Sequence, residues 1–291
     1  MAIFKTVLGD HKHVAAIKSG ELKLAGDELE FEEFKETHHA FKPMVGRQKF
    51  DFCEMAITTL ILAKSYGRPL HMLPAVMIGR LQQPFASVNA NVKMKGPGDL
   101  AGKRIGVRSF AQTTVTWQRG ILKCDFDASF DGVEWVKFEE GHVREAADPS
   151  TPAPAGRKMA EMLYAGDLDV ALGLKADDPR AAPLFFPDPV KAAEEWRQKH
   201  GCFAINHIIA VPERMVAENL DAISEFYRLL KTNKQMAEGT PIKADPRPLG
   251  FEANRASIEL LIRYMNELDM LKARMSPDDL IDPRIREAIG E

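Results

Sequence analysis

The sequence predicts an α/β protein of two lobes, in which two open mixed sheets are flanked by helices and a cleft separates the lobes. Short apolar strands alternate with helical segments as far as Val211, and the rest of the chain is helical in pattern. A chain of 291 residues with 45% apolar content is long enough for two such cores. We expect residues 1–84 and 210–291 to form lobe 1, which includes the helical tail, and residues 85–209 to form lobe 2.

Lobe 1 is predicted from apolar runs that end at glycine, proline or polar turns. The expected strands are Phe4–Leu8, Leu29–Phe34, Phe50–Met55 and Leu70–Ile78. The expected helices follow Asp10 and cover Met44–Gln48 and Ile57–Tyr66, the last of which ends at Gly67 and Pro69. The chain returns to this lobe near the apolar strand Phe203–Val211.

Lobe 2 has the same alternation with shorter elements. The expected strands or extended segments are Ser87–Val92, Arg104–Val107, Val133–Phe138 and Leu168–Leu172. The expected helices are Val115–Lys123, Gly156–Ala165 and Pro189–Lys199. The proline-rich tract Pro149–Ala155 predicts an exposed loop.

Charge and composition restrict the classes of partner. The formal net charge is -3, so no broad basic face for nucleic acid or acidic lipid is expected, and a small molecule is the favoured partner. No apolar run has the length of a signal peptide or a membrane span, which predicts a cytoplasmic protein with no membrane partner. The apolar positions Ile258, Leu261, Ile262 and Met265 fit either core or the face of a homo-oligomer, with core as the default.

A strand that runs into a hydroxyl-bearing turn and then a helix occurs twice. One such turn carries Thr58 and Thr59, and the other carries Gln112, Thr113 and Thr114. The start of a helix presents unpaired N–H groups and the positive end of the helix dipole, which together attract anions. We expect the threonines to cap these helices and to contact ligand carboxylates, so that two such turns indicate a doubly anionic ligand.

Histidine and glutamate are the candidate proton-transfer groups. His207 lies in an apolar strand at the predicted crossover between lobes, and His11 and His13 follow the first strand at a sheet edge where ligands often bind. Glu54 ends a buried strand, where an acid is costly unless it is paired or used. The alternatives are a core histidine for His207, surface solvation for His11 and His13, and a helix-dipole role for Glu54. No third ligand at a suitable spacing accompanies His11 and His13, so no metal site is predicted.

Several motifs together resemble the 4,5-dihydroxyphthalate decarboxylases. They are Asp51–Met55, Asp99–Val107, Trp117–Leu122, Met162–Val170, Asn206–His207 and Gly250–Arg255. The resemblance spans nearly the whole chain. It implies a fold similar to type 2 periplasmic binding proteins and a lyase that removes one carboxylate from an aromatic diacid without an organic cofactor. It also favours His207 as a catalytic residue and draws attention to Asn206 beside it.

The chain departs from this family after the apolar strand. Relatives usually have an arginine followed by a phenylalanine, a second arginine and a histidine, whereas this chain reads Arg80-Leu81-Gln82-Gln83-Pro84-Phe85. Arg80 matches the family. Arg108 stands where relatives usually have a proline, and we expect it to compensate for the missing second arginine. Arginine suits this role because its guanidinium group can bind a carboxylate through two hydrogen bonds.

The leading hypothesis is a cytoplasmic decarboxylase of a hydroxylated aromatic dicarboxylate. In this hypothesis Arg80 and the turn at residues 112–114 hold the retained carboxylate, His207 donates the proton, and Glu54 or His11 is its partner. A binding or sensor protein for an aromatic carboxylate, and another lyase or hydrolase on the same scaffold, are the alternatives. Arg119 and Arg255, which lie inside predicted helices, are expected to form structural ion pairs.

Overall fold

The computed structural model of the protein describes residues 1–239 and 244–291. Its strands are β1 (Ile3–Val7), β2 (Glu28–Phe31), β3 (Phe52–Ala56), β4 (Leu70–Gly79), β5 (Ala86–Asn89), β6 (Arg104–Val107), β7 (Glu134–Lys137), β8 (Thr151–Pro152), β9 (Val170–Leu172), β10 (Ala181–Pro183) and β11 (Ile205–Pro212). Its α-helices are α1 (Ala15–Lys18), α2 (Phe41–Arg47), α3 (Ile57–Ser65), α4 (Thr113–Asp125), α5 (Met159–Ala165), α6 (Pro189–His200), α7 (Glu213–Glu218), α8 (Leu220–Glu238), α9 (Phe251–Glu267) and α10 (Pro283–Ala288). Short 3-10 helices cover Lys12–Val14, Thr37–Ala40, Gln83–Phe85 and Pro277–Leu280.

The first sheet has the strand order β2-β1-β3-β11-β4. β1 pairs in parallel with β2 and β3, while β11 runs antiparallel to β3 and β4. β3 is buried along its whole length and β4 along most of it, because helices cover the sheet and leave little of either strand to solvent. The predicted mixed sheet is confirmed, and β3 lies at its centre.

The second sheet has the strand order β10-β5-β9-β6-β7-β8. β6 pairs in parallel with β7 and β9, whereas β5 pairs antiparallel with β9 and β10. A buried apolar cluster in this part of the chain contains Leu163, Leu168 and Ala171. This sheet is also mixed and flanked by helices, so the α/β class predicted from the sequence is confirmed.

The chain divides into two compact units. Unit 1 contains residues 1–79, 205–259 and 272–291, and unit 2 contains residues 80–204 and 260–271. The boundaries therefore fall after Gly79 and after Ala204, each five residues before the boundary expected from the sequence, at residue 84 and residue 209. The segment 260–271, which we expected in lobe 1 with the rest of the tail, belongs to unit 2, because its side chains pack against α4 and α6.

Two local predictions need correction. The tract Pro149–Ala155 is exposed as expected, but Thr151 and Pro152 form strand β8, which pairs in parallel with β7. The sequence pattern also predicts one helical turn at Asp99–Lys103, but this segment is irregular, with a turn at Ala101 and Gly102.

The tail is helical over most of its described length, and the predicted helical stretch at residues 240–243 lies outside the described residues. The apolar set around Ile258 and Met265 is buried, so its assignment to the core is confirmed. Among the described residues, no helix combines the length and apolar character needed to cross a bilayer.

Candidate active site

Glu54 is the centre of a polar network in unit 1. The carboxyl group lies on β3 with its side chain fully buried. Its Oε2 accepts hydrogen bonds from the backbone N–H of Gly9 at 2.7 Å and from His11 Nε2 at 3.0 Å. Its Oε1 accepts a hydrogen bond from His207 Nδ1 at 2.7 Å. One buried carboxylate therefore contacts two imidazole groups.

The sheet brings these residues together although they lie far apart in sequence. β1 runs parallel to β3, so the turn after β1 delivers Gly9 and His11 to the end of β3 that carries Glu54. In the antiparallel pair, His207 lies opposite Ala56 and Ile209 lies opposite Glu54. Because side chains two residues apart on a strand share a face, His207 and Glu54 project to the same side of the sheet.

The network holds Glu54 in its ionised form. Burial raises the pKa of Glu54, but hydrogen bonds and charge interactions with His11 and His207 outweigh it and place the pKa well below its usual range. The carboxylate is thus a fixed negative charge that accepts hydrogen bonds from both neighbouring imidazoles. The hypothesis that Glu54 serves the helix dipole is wrong, because the residue lies in the strand and the first turn of α3 contains no acidic residue.

His207 has one ring nitrogen engaged and the other available. Nδ1 is bound to Glu54, and among the residues that the structure describes no protein group pairs with Nε2. The side chain is 21% exposed, and the ring of Phe41 meets it edge-on with centroids 5.4 Å apart. An imidazole oriented through Nδ1 can gain or lose a proton at Nε2, which is the arrangement that general acid–base catalysis requires.

His11 and His13 stack on each other. Their ring centroids are 5.1 Å apart and their planes differ by 10°. Burial lowers the pKa of His13 to about 4, with further contributions from the nearby charges of His11 and Arg247. His13 is therefore neutral near pH 7, and its buried Nε2 has no hydrogen-bond partner within residues 1–239 and 244–291. His11 therefore contacts Glu54 directly, whereas His13 contacts the ring of His11.

The capping prediction for Thr58 and Thr59 is wrong. α3 begins at Ile57, and its N-cap is Ala56, which has no side-chain acceptor. β3 extends to Ala56 because this residue pairs with His207 across the sheet, so the threonines fall inside the first helical turn. Both are buried there, at the same end of β3 as Glu54.

Unit 2 carries the predicted arginines and the start of α4. Arg80 Nη2 donates a hydrogen bond to Thr114 Oγ1 at 2.8 Å, and the guanidinium group lies 4.2 Å from the centroid of Phe85. Burial and the neighbouring charge of Arg108 lower the pKa of Arg80. Arg108 Nε lies 3.7 Å from Glu139 Oε2. Two guanidinium groups near each other favour an anion between or beside them.

The N-terminus of α4 lacks the threonine cap that the sequence predicts. α4 begins at Thr113 with Gln112 as the N-cap, and the Gln112 side chain makes no capping hydrogen bond. Thr113 and Thr114 are the first and second helical residues and are buried, so they do not occupy the cap position. The capping prediction is wrong here as well, because the turn from Ser109 to Gln112 is closed by a backbone hydrogen bond instead.

Three residues singled out from the sequence remain: Arg255, Arg119 and Asn206. Arg255 forms the expected ion pairs, with Glu252 at 2.8 Å and Asp278 at 2.9 Å. Arg119 does not: it is buried against the rings of Phe110 and Trp135, and among the described residues no carboxylate pairs with it. Burial lowers the pKa of Arg119 to about 9. Asn206 is buried beside His207 on β11.

The sequence analysis missed the backbone of Gly9 as part of the site. A Cβ atom at this position would lie 2.7 Å from His11 Nε2 and 3.0 Å from Glu54 Oε2. The residue must therefore be glycine for His11 and Glu54 to approach the backbone N–H. A glycine directly after a strand was the available signal, but the partner on β3 was not evident from sequence.

A second cluster of histidine and carboxylate side chains lies at the start of β4, which carries His71. His71, Glu213 and Asp282 have possible ligand atoms within 4.8 Å of one another, which is close enough for a metal ion. However, Arg284 Nη2 donates to Glu213 at 2.9 Å and to Asp282 at 2.8 Å, and His71 Nε2 lies 2.6 Å from Glu213. Both carboxylates thus already have an arginine as a hydrogen-bond partner.

The fold is that of periplasmic binding proteins. The structure of the aliphatic sulphonate binding protein SsuA from Escherichia coli matches with a TM-score of 0.57 at 13% identity, covering 97% of this chain and 91% of that one. At this identity the match defines the fold alone. No protein-family model matches the chain.

Two curated relatives bear the same enzyme name. The 4,5-dihydroxyphthalate decarboxylase of Comamonas testosteroni is 24% identical over 227 residues, which are 73% of this chain and 68% of the relative. That of Pseudomonas putida is 23% identical over 205 residues, which are 65% of this chain and 79% of the relative. The chain is thus distantly related to enzymes named as decarboxylases.

Proposed function

We propose that the protein is a carboxy-lyase that removes one carboxylate from a hydroxylated aromatic dicarboxylate, either 4,5-dihydroxyphthalate or a close analogue. The observation that carries this proposal is the hydrogen bond from His207 Nδ1 to the buried carboxylate of Glu54, which leaves Nε2 available for proton transfer. The distant similarity to two proteins named 4,5-dihydroxyphthalate decarboxylase supports the reaction class.

The proposed reaction needs a proton at the ring carbon that loses its carboxylate. His207 donates this proton from Nε2, the bond between the ring and the carboxylate breaks, and carbon dioxide leaves. The electron pair of the broken bond stays in the ring, so the carbon ends with hydrogen in place of the carboxylate. His207 then recovers its proton from water.

Glu54 makes His207 an effective acid and base in this step. The Glu54 carboxylate, 2.7 Å away, orients the ring through Nδ1 and so directs Nε2 away from itself. His11 shares the same carboxylate and can take the proton of a ring hydroxyl. Loss of that proton pushes electrons into the ring and favours protonation at carbon.

Arg80 and the start of α4 are proposed to bind the carboxylate that is retained. In support, Arg80 is largely buried yet has no carboxylate partner among the described residues. Its charge is therefore available to a ligand, and Arg108 adds a second positive group nearby. Asn206, Thr58, Thr59, Thr113 and His13 stay predictions as substrate contacts.

The test is to incubate the purified protein with phthalate, 4-hydroxyphthalate, 4,5-dihydroxyphthalate and protocatechuate and to measure carbon dioxide release. We expect release from a hydroxylated phthalate, and we expect His207→Gln to lose at least about a thousandfold in rate while it still binds the diacid. His39→Gln, an exposed histidine, is the matched control and should keep full activity. Binding across the panel without carbon dioxide release would overturn the proposal and favour a sensor.

A further inference from the structure

Near the start of α4, a few buried polar atoms have no hydrogen-bond partner in the described part of the chain, and these atoms indicate the chemistry of a ligand that would pair with them. Among the residues that the structure describes, Arg80 Nε is a buried donor and Gln112 Oε1 is a buried acceptor, and neither has a hydrogen-bond partner. Arg108 Nε also makes no hydrogen bond there, but it lies 3.7 Å from Glu139 Oε2. Arg80 is fixed at this place by its hydrogen bond to Thr114, two residues after Gln112. Buried polar atoms are nearly always paired in folded proteins, so this set calls for a partner.

The side chain of Gln112 lies close to the backbone of Gly173. A Cβ atom on Gly173 would lie 3.2 Å from Gln112 Oε1, and the residue has a φ of +85°, which glycine adopts without strain. The N–H of Gly173 donates to Gln118 Oε1 at 2.9 Å, so the loop is itself anchored. Gln112 Oε1 therefore lies beside a backbone segment that Gln118 anchors.

The local charge fixes which end of the amide faces this region. Arg80, Arg108 and the first turn of α4 all contribute positive potential, which attracts the carbonyl oxygen of Gln112 and repels its amino group. An acceptor among donors cannot be satisfied by a carboxylate, because an ionised carboxylate only accepts hydrogen bonds. The matching ligand must carry a hydrogen-bond donor close to its anionic group.

We propose that Gln112 is a specificity-determining residue that accepts a hydrogen bond from a neutral ring hydroxyl while Arg80 binds a carboxylate of the same ligand. This inference rests on the proposed function and assigns the ligand class of the α4 start as hydroxylated aromatic acids rather than plain aromatic diacids. A phthalate without hydroxyls leaves Gln112 Oε1 unpaired, which costs affinity. Sites built for a hydroxyl reject the analogue that lacks it far more strongly than sites built for a methyl group.

The experiment compares the affinities of 4,5-dihydroxyphthalate and phthalate by calorimetry in the His207→Gln background, where turnover does not interfere. We expect the hydroxylated ligand to bind at least about tenfold more tightly when Gln112 is present. In Gln112→Met, which keeps the side-chain length without the acceptor, the ratio should fall to within about twofold. In Gln112→Glu both ligands should weaken, because of the added charge, but the ratio should persist.

Two results would overturn the inference. One is a ratio that Gln112→Met leaves unchanged, and the other is an equal loss for both ligands in that variant, which would mean a structural role at the helix start. Gln198→Met, at an exposed position on α6, is the control and should leave both affinities as they are. The affinity ratio does not depend on catalysis, so a protein that binds selectively but releases no carbon dioxide would refute the proposed function alone.

Discussion

Two buried titratable side chains in unit 1, Glu54 and His13, have opposite charge states because their surroundings differ. Glu54 stays ionised because three donors surround it, whereas His13 stays neutral because it is buried beside His11 and Arg247. His11 lies between them, with its ring stacked on His13 and its Nε2 on Glu54. The position of the His11 ring is therefore determined by both neighbours.

His13 is expected to make the stability of the protein depend on pH. Its pKa is about 4 in the folded chain and about 6.5 when unfolded, so the unfolded chain binds the proton more readily. The stability from this residue is complete above pH 6.5 and is lost as the pH falls to about 4. Between about pH 7 and pH 4.5, we expect the free energy of unfolding to fall about 2 kcal/mol more in the native protein than in His13→Phe.

Urea unfolding at both pH values measures this difference. Phenylalanine keeps an aromatic ring against His11 but cannot be protonated, so the packing is retained. His39→Phe, at an exposed site, should show the native pH dependence. An equal fall in the native protein and in His13→Phe would contradict the prediction.

Gly9→Ala is expected to disrupt the network without unfolding unit 1. The new Cβ atom would lie 2.7 Å from His11 Nε2, so the imidazole must move off Glu54. We expect the decarboxylation rate to fall more than about tenfold, because catalytic groups lose rate steeply when displaced by about 1 Å. The rate and the melting temperature are the measurements. Gly46→Ala, where the new Cβ meets no atom within 4 Å, is the matched control, and an equal effect of both variants would argue against the prediction.

At the scale of single elements, local sequence patterns predicted most strands and helices but not the helix caps. Alternation and apolar runs located β3, β4, β6 and β11 to within a few residues. The caps of α3 and α4 were missed because pairing between Ala56 and His207 sets where β3 ends, and that pairing joins residues distant in sequence. Strand β8 was missed for the same reason, since its two residues are ordered by β7.

The residues of the Glu54 network were each named from the sequence, but the hydrogen bonds that join them were not. Glu54, His11 and His207 were each chosen from their own surroundings in the sequence, and the pairing of both histidines with one carboxylate depends on the order β1-β3-β11 in the sheet. Arg119 was expected to form a structural ion pair because it lies inside a predicted helix. Instead aromatic rings surround it, and no local pattern distinguishes these environments.

Gly120 in α4 is expected to be essential for the packing of unit 2. A Cβ atom at this position would come within 2.4 Å of the ring of Tyr264. That ring cannot shift easily, because its hydroxyl donates to Asp125 at 2.6 Å and accepts from Trp196 Nε1 at 3.2 Å. Alanine favours helix over glycine by about 1 kcal/mol, but the clash outweighs this gain.

We therefore expect Gly120→Ala to destabilise the protein by about 2 kcal/mol or more, as overpacked cores do. Chemical unfolding measures the change. Gly46→Ala, inside α2 and free of steric conflict, should be neutral or slightly stabilising by the same helix propensity. Stabilisation of both variants would show that Tyr264 yields to the added methyl group.

At the scale of the whole molecule, the proposed tasks are divided between the two units. Unit 1 contains the ionised Glu54 with its two histidines, and unit 2 contains Arg80, which has no carboxylate partner among the described residues. In the proposed function, the first group moves protons and the second binds a carboxylate. Changes in the two units should therefore affect different kinetic constants.

Arg80→Met is expected to raise KM for the aromatic diacid more than about tenfold and to change kcat only a few-fold, because a charged hydrogen bond to the retained carboxylate is similar before and during reaction. His207→Gln is expected to do the reverse, since the proton is needed only as the carbon–carboxylate bond breaks. Steady-state kinetics give KM and kcat, and calorimetry gives the affinity of the inactive variant. Arg157→Met, which removes an exposed arginine paired with Asp167, is the control in unit 2 and should change neither constant. If Arg80→Met instead lowered kcat and left the affinity unchanged, Arg80 would act on the transition state, and the retained carboxylate would have to be held by another group.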